Sequence, residues 1–246
     1  MIARALNPLL ATAVLLAAWQ ALVTLADLPP FILPGPWRVA EALVANAGLI
    51  AGHAATTLAE VLIGLLLGAI LGTLTALGLV ASPLARRIVR PALVLTQALP
   101  VFALAPILTL WMGYGMGSKI VIAVLIIYFP VASAFFDGLM ATPPGWLDLA
   151  RTMQARRDAV LWRIRVPAAL PSLASGLRLA AVYAPIGAVI GEWVGASRGL
   201  GYLMLLANGR AKTDLMFAAL VVLALMTLTL YRAVGAACDR LAARFG

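Results

Sequence analysis

The chain has 246 residues, 64% of them hydrophobic and 11% charged, with a formal net charge of +9. Soluble domains are nearer half apolar and a quarter charged, so this composition excludes a water-soluble globule and makes lipid the natural solvent. The mean hydropathy of +1.05 agrees. The basic excess sits between apolar runs, which speaks for orientation in a membrane and against nucleic acid as a partner. One cysteine, Cys238, excludes an intrachain disulfide and a CxxC metal or redox site.

Six apolar runs reach the roughly 20 residues that cross a hydrocarbon core of about 30 Å. They are 6–26, 57–80, 93–112, 120–138, 173–194 and 215–234. The first has Arg4 before it but no convincing A-x-A cleavage site after it, so it reads as a span and not as a signal peptide. Continuous Leu/Ala/Val runs of this length predict helices; barrel strands would be about ten residues of alternating polarity. The predicted fold class is all-α, a polytopic membrane protein of six transmembrane helices in a single domain, 1–246.

The links carry further information. Residues 27–56 hold Pro29, Pro30, Pro34 and Pro36, then a weakly amphipathic stretch. Residues 81–91 are short and basic, 113–119 read as a tight Gly-rich turn, and 195–214 are Gly-rich again. Residues 139–172 are the longest polar stretch. With the N-terminus inside, the inner links and termini hold thirteen of the 18 Lys and Arg residues. The outer set is Arg38, Lys119, Arg198, Arg210 and Lys212. That bias places both termini in the cytoplasm.

The 139–172 segment begins as a helix after Pro143 and Pro144, with Leu149, Met153 and Val160 near one face, and Pro167 and Pro171 close it. Such a helix suits docking of a cytoplasmic partner. It equally suits lying on the lipid surface, anchored by Arg156, Arg157, Arg163 and Arg165.

The same segment resembles the EAA loop of binding-protein-dependent ABC importer permeases. Asp148, Leu149, Ala150 and Ala155 match its first part. Val166-Pro167, Pro171 and Gly176-Leu177-Arg178 match the second. The family's Glu is Asp148 here, one Ala is Leu149 and the Gly is Gln154. If that turn needs positive φ, Gln154 costs about 1 kcal/mol. Further resemblance runs through Phe31-Ile-Leu-Pro34-Gly-Pro36, Leu110-Trp-Met-Gly113-Tyr-Gly115, the stretch from Gly191 to Tyr202, and Thr213-Asp214.

The resemblance implies a MetI-like permease fold in the cell inner membrane. It implies ABC ATPase subunits docked on a coupling loop at 139–172, through Asp148, Leu149, Ala150, Met153, Gln154, Ala155 and Val160. A periplasmic solute-binding protein delivers cargo, and a second copy of the permease completes the membrane core. Among branches the chain resembles those importing nitrate, sulfonates, taurine and thiamine precursors, and most of all hydroxymethylpyrimidine permeases.

The chain has no Gly-x4-Gly-Lys-Ser/Thr loop, so no cofactor is expected on it and ATP falls to the partner ATPase. An intramembrane enzyme is disfavoured: no His-Glu-x-x-His occurs, and His53 is the single histidine. A secondary transporter would carry coupling charges near midplane, which these runs almost lack. Candidates for the translocation pathway are Thr96, Gln97, Pro100, Tyr183 and Glu192, and the polar ones can equally bond neighbouring helices. Pro106, Pro130 and Pro185 are expected to interrupt their spans as well. Glu60, Asp137 and Glu192 lie near span ends within reach of water. The lone histidine, His53, reads as a loop residue.

Overall fold

The computed structural model describes residues 2–245, with side chains described for 10–97 and 99–241. Arg4 and Arg244 of the inner charge set therefore lie outside the described side chains. The elements are α1 (Ile2–Leu25), α2 (Pro36–Ala45), α3 (Ala47–Ala81), α4 (Pro83–Ala98), α5 (Val101–Met112), α6 (Met116–Met140), α7 (Pro144–Thr152), α8 (Arg157–Val160), a π turn (Leu161–Arg165), α9 (Val166–Gly195), α10 (Leu200–Gly209) and α11 (Thr213–Phe245). No strand occurs among the described residues.

Proline sets several boundaries. Pro36, Pro83 and Pro144 open α2, α4 and α7, where a missing N–H costs nothing. Ser82 caps α4, its Oγ accepting from the Ala85 N–H at 3.2 Å. The basic link at 81–91 is thus mostly helix. At Pro100 the third apolar run breaks. Leu99 is extended, as a residue before proline prefers, and α4 and α5 meet at 98°.

Pro106, Pro130 and Pro185 behave differently from expectation, since α5, α6 and α9 run through them as helix. Pro167 and Pro171 do not close the polar segment either. α8, the π turn and α9 form one helical run, Arg157–Gly195. A proline ring crowds the carbonyl four residues earlier, and for Pro167 that residue, Arg163, sits in the widened turn.

Among the described residues four helices are long and apolar enough to cross a membrane: Ala47–Ala81, Met116–Met140, Arg157–Gly195 and Thr213–Leu241. The bent pair α4–α5 supplies a fifth candidate, and Leu10–Leu25 is a shorter apolar helix. Each expected run therefore lies in helix, and the count departs from six straight spans at the first and third. Two elements escaped the sequence pattern. The 27–56 link contains α2 and the start of α3, and the 195–214 link contains α10.

α6 packs along both α3 and α9 and forms the centre of the bundle. Gly64, Gly68 and Gly72 of α3 face Ala123, Ile127 and Val131 of α6. A Cβ at Gly68 would stand 2.7 Å from the Ile127 side chain, so only a side-chain-free ridge permits this approach. One end of the bundle joins α2, α10 and α11 through Val39, Leu203 and Ala218. The other joins α3, α4, α6 and α9 through Leu79, Leu93, Phe135 and Ala169. At this second end Arg86 and Arg90 lie over the Phe136 ring, at 5.7 and 5.2 Å. Arg165 donates to the Leu139 carbonyl there. Arginines assigned to one side by the charge bias therefore converge in space.

Candidate functional site: a short exposed helix at one end and a buried carboxylate network at the other

α7 is a short amphipathic helix held between two long ones. Its start is set by Pro144 and its end by a left-handed residue. Gln154 has φ of 51°, its N–H donates to the Arg151 carbonyl, and the Ala155 N–H donates to the Ala150 carbonyl, both at 2.9 Å. This is the Schellman arrangement, whose left-handed position favours glycine. The expected positive φ at Gln154 is present, so glutamine holds a strained backbone there.

Ala150 is buried, while Leu149 and Met153 are 62% and 73% exposed. Trp146, three residues before Leu149, is exposed as well. Asp148 points to solvent and accepts from Arg151 at 2.7 Å. Ala155 is exposed in the turn. Val160 departs from the expected shared face: it lies past the turn, half-buried in α8. Gln154, Ala155 and Val160 line a cleft of about 880 Å³ between this segment and the α3–α4 junction.

The pathway candidates are scattered. Thr96 and Gln97 are exposed on α4, and the Thr96 hydroxyl donates to the Leu93 carbonyl at 2.7 Å. Pro100 caps α5 at the break. Tyr183 is partly exposed midway along α9. Glu192 is placed elsewhere: it is 1% exposed and enclosed within the protomer. Asp137 is exposed, as expected of a span end, but Glu60 is fully buried.

Glu192 caps α10. Its Oε2 accepts from the backbone N–H groups of Gly201 and Tyr202. Its Oε1 accepts from Thr57 Oγ1 at 2.6 Å, and Thr57 Oγ1 in turn accepts from the Leu200 N–H at 2.8 Å. A carboxylate from α9 and a hydroxyl from α3 thereby satisfy the orphan donors of the first turn of α10. His53 joins them. It lies in α3 and not in a loop, and its Nδ1 accepts from the Gly199 N–H at 3.0 Å.

Gly199 has φ of 118°, and a Cβ there would lie 2.2 Å from the Glu192 carboxyl carbon. Both backbone and space demand glycine. Glu60, one turn on from Thr57, pairs with Lys119 of α6 at 3.5 Å and interacts with Glu192. Neither Glu60 oxygen has a hydrogen-bond donor of normal geometry among the described residues. Sequence inspection missed this network because its members are 53, 57, 60, 119, 192 and 199–202, four separate stretches. The one available signal was the Gly-Leu-Gly that follows Glu192.

Residues 64–245 match the family described as binding-protein-dependent transport system inner membrane component. A probable ABC transporter permease protein of Haemophilus influenzae is 52% identical over 93% of this chain and 93% of its own. The formylaminopyrimidine transport permease protein of Halalkalibacterium halodurans is 38% identical, covering 81% and 80%. The riboflavin transport system permease protein of Chloroflexus aurantiacus is also 38% identical, covering 88% and 82%. In fold, the chain resembles a chain of the inward-facing MetNI methionine ABC transporter, with a TM-score of 0.59, 20% identity, and coverage of 87% and 99%. The chain belongs to the inner-membrane permease family of binding-protein-dependent ABC importers.

Proposed function

We propose that this chain forms the translocation path of an ATP-driven importer and couples to its ATPase through α7. The carrying observation is the exposure of Trp146, Leu149 and Met153 on a short helix locked by the Schellman turn. Exposed apolar anchors on a fixed peg suit insertion into a partner's groove. Asp148, Ala150, Gln154, Ala155 and Val160 support the peg or its exit. The α7 end is cytoplasmic in this reading, with both termini on the same side. A second copy of the chain completes the membrane core, and a periplasmic binding protein delivers cargo. ATP binds the partner ATPase, and the permease domain itself, 1–246, needs no cofactor.

We propose further that the cargo is a small heteroaromatic of the thiamine-precursor class, such as hydroxymethylpyrimidine. Two relatives at 38% identity carry heteroaromatic cargo by name, a formylaminopyrimidine and riboflavin. Thr96, Gln97, Pro100 and Tyr183 offer polar and ring contacts without charge, which suits a neutral solute. A nitrate, sulfonate or taurine would favour fixed cations along the route. Exposed Arg198 and Arg210 are the observation that favours this second reading.

The deciding experiment uses a strain unable to make the pyrimidine moiety, grown on low external hydroxymethylpyrimidine. Deleting the permease gene is expected to abolish growth, and a plasmid copy to restore it. Unchanged growth, with lost use of taurine or an alkanesulfonate, would replace the cargo and leave the importer reading standing.

A further inference from the structure

Four arginines line the cleft between the α3–α4 junction and the α7–α8 segment: Arg86, Arg151, Arg157 and Arg165. Among the described residues Asp158 is the single acid lining it, and Arg156 already holds that carboxylate through two hydrogen bonds of 3.2 Å. Arg157 has no acidic partner among the described residues. Arg86 spends one N–H on the Leu79 carbonyl and Arg165 one on the Leu139 carbonyl. Arg151 is paired with Asp148 at 2.7 Å, so Arg86, Arg157 and Arg165 are the arginines that leave the lining net positive.

Apart from Gln154 the rest of the lining is apolar, with Val80, Pro83, Met140 and Leu161 among it. Its depth is set by the spans. α3 ends at Ala81, α6 ends at Met140, and the third long run begins at Arg157. The cleft therefore lies at the level where three spans leave the hydrocarbon, the level of lipid headgroups. Basic pockets between spanning helices on the cytoplasmic side are suited to anionic headgroups.

We infer that this cleft binds the phosphate of an anionic phospholipid, with its glycerol and upper acyl carbons against the apolar lining. A volume of about 880 Å³ accommodates a headgroup and the first part of its chains. The inference rests on the cytoplasmic placement of the α7 end. The lipid fits better than an acidic protein segment because the site combines fixed cations with apolar wall at headgroup depth. The site also ties α4 to the exit of the coupling helix, so its occupancy bears on coupling.

The test uses the permease–ATPase complex in nanodiscs, with phosphatidylglycerol and phosphatidylcholine as the probes. Native mass spectrometry after detergent release reads the lipid retained. Wild type is expected to keep phosphatidylglycerol in preference to phosphatidylcholine. Arg86→Gln with Arg157→Gln should weaken that retention roughly 30-fold, at about 1 kcal/mol per cation. Arg90→Gln is the control, because Arg90 lies over the same Phe136 ring as Arg86 but outside the cleft lining.

Equal retention of both lipids by wild type would overturn the inference. So would undiminished retention in the double variant, or displacement of the lipid by millimolar inorganic phosphate. Loss of the ATPase with unchanged lipid would assign the cleft to the protein partner and likewise overturn it. Thermal unfolding of each variant separates a lost site from a lost fold. Lipid retention is read without transport or sidedness, so it fails independently of the importer reading.

Discussion

Thr57 Oγ1 donates to Glu192 Oε1 at 2.6 Å and accepts from the Leu200 N–H at 2.8 Å, joining residues more than 130 positions apart. One hydroxyl thus links α3, α9 and the start of α10. Thr57→Val removes a donor and an acceptor together and leaves two buried groups unsatisfied. The expected loss is about 2–4 kcal/mol. Thr57→Ser keeps the hydroxyl and should retain most of the stability. Thermal denaturation of the purified protein in detergent reads both, and equal melting of the two variants would contradict the linking role.

Lys119 and Glu60 are 7% and 0% exposed at their side chains. Breaking a buried pair by removing one partner strands the other charge, typically at about 3–5 kcal/mol. Lys119→Met should therefore be strongly destabilising. Adding Glu60→Gln to it should restore part of the loss, because the stranded charge goes with it. A double variant as unstable as the sum of the two single variants would show that the pair is uncoupled.

Gly199 and Gly52 offer a contrast between two glycine substitutions. At Gly199 an added Cβ meets both φ of 118° and the Glu192 carboxyl group, so Gly199→Ala should cost about 3–5 kcal/mol. Gly52 lies in α3 with nothing within 4 Å of a Cβ. Gly52→Ala should be neutral or stabilising by up to about 1 kcal/mol. Similar expression and melting temperatures for the two would refute the packing described for α10.

Gln154 holds the left-handed end of α7. Gln154→Gly should relieve about 1 kcal/mol of backbone strain. Ala155→Asp next to it should leave the fold intact and weaken ATPase association, because it places an unpaired charge at the docking turn. Co-purification of the ATPase with each variant is the measurement. Wild-type association and transport by Ala155→Asp would remove α7 as the docking element.

Sidedness is open to chemical labelling. Gly48, Ser197 and Arg157 are exposed, and Cys238 is buried with its Sγ near the Ala174 carbonyl. In a Cys238→Ala background, cysteines at 48 and 197 should react with an impermeant maleimide in intact cells. One at 157 should react only after permeabilisation. Outside labelling at 157 would invert the layout.

Composition and run length by themselves determined the lipid solvent, the all-α class and the placement of the apolar runs, since both are summed properties of local stretches. The short helix between Pro144 and Gln154 was legible for the same reason. Leu149 and Met153 lie within five residues, and the positive φ at Gln154 falls where the resembled loop pattern has glycine. What a proline does inside a span was not local. Pro100 broke a helix while Pro106, Pro130 and Pro185 did not. Neighbouring helices and side chains decide whether a freed carbonyl is tolerated.

Burial was the other property left to tertiary structure. Glu60 and Glu192 look like span-end carboxylates in the sequence, free to reach water. Lys119 was one of five cations expected outside. Only packing of α3, α6, α9 and α10 encloses them, and only then does each find its partner. The residues that cover a side chain come from distant parts of the chain, so no window around Glu192 contains the reason it is buried.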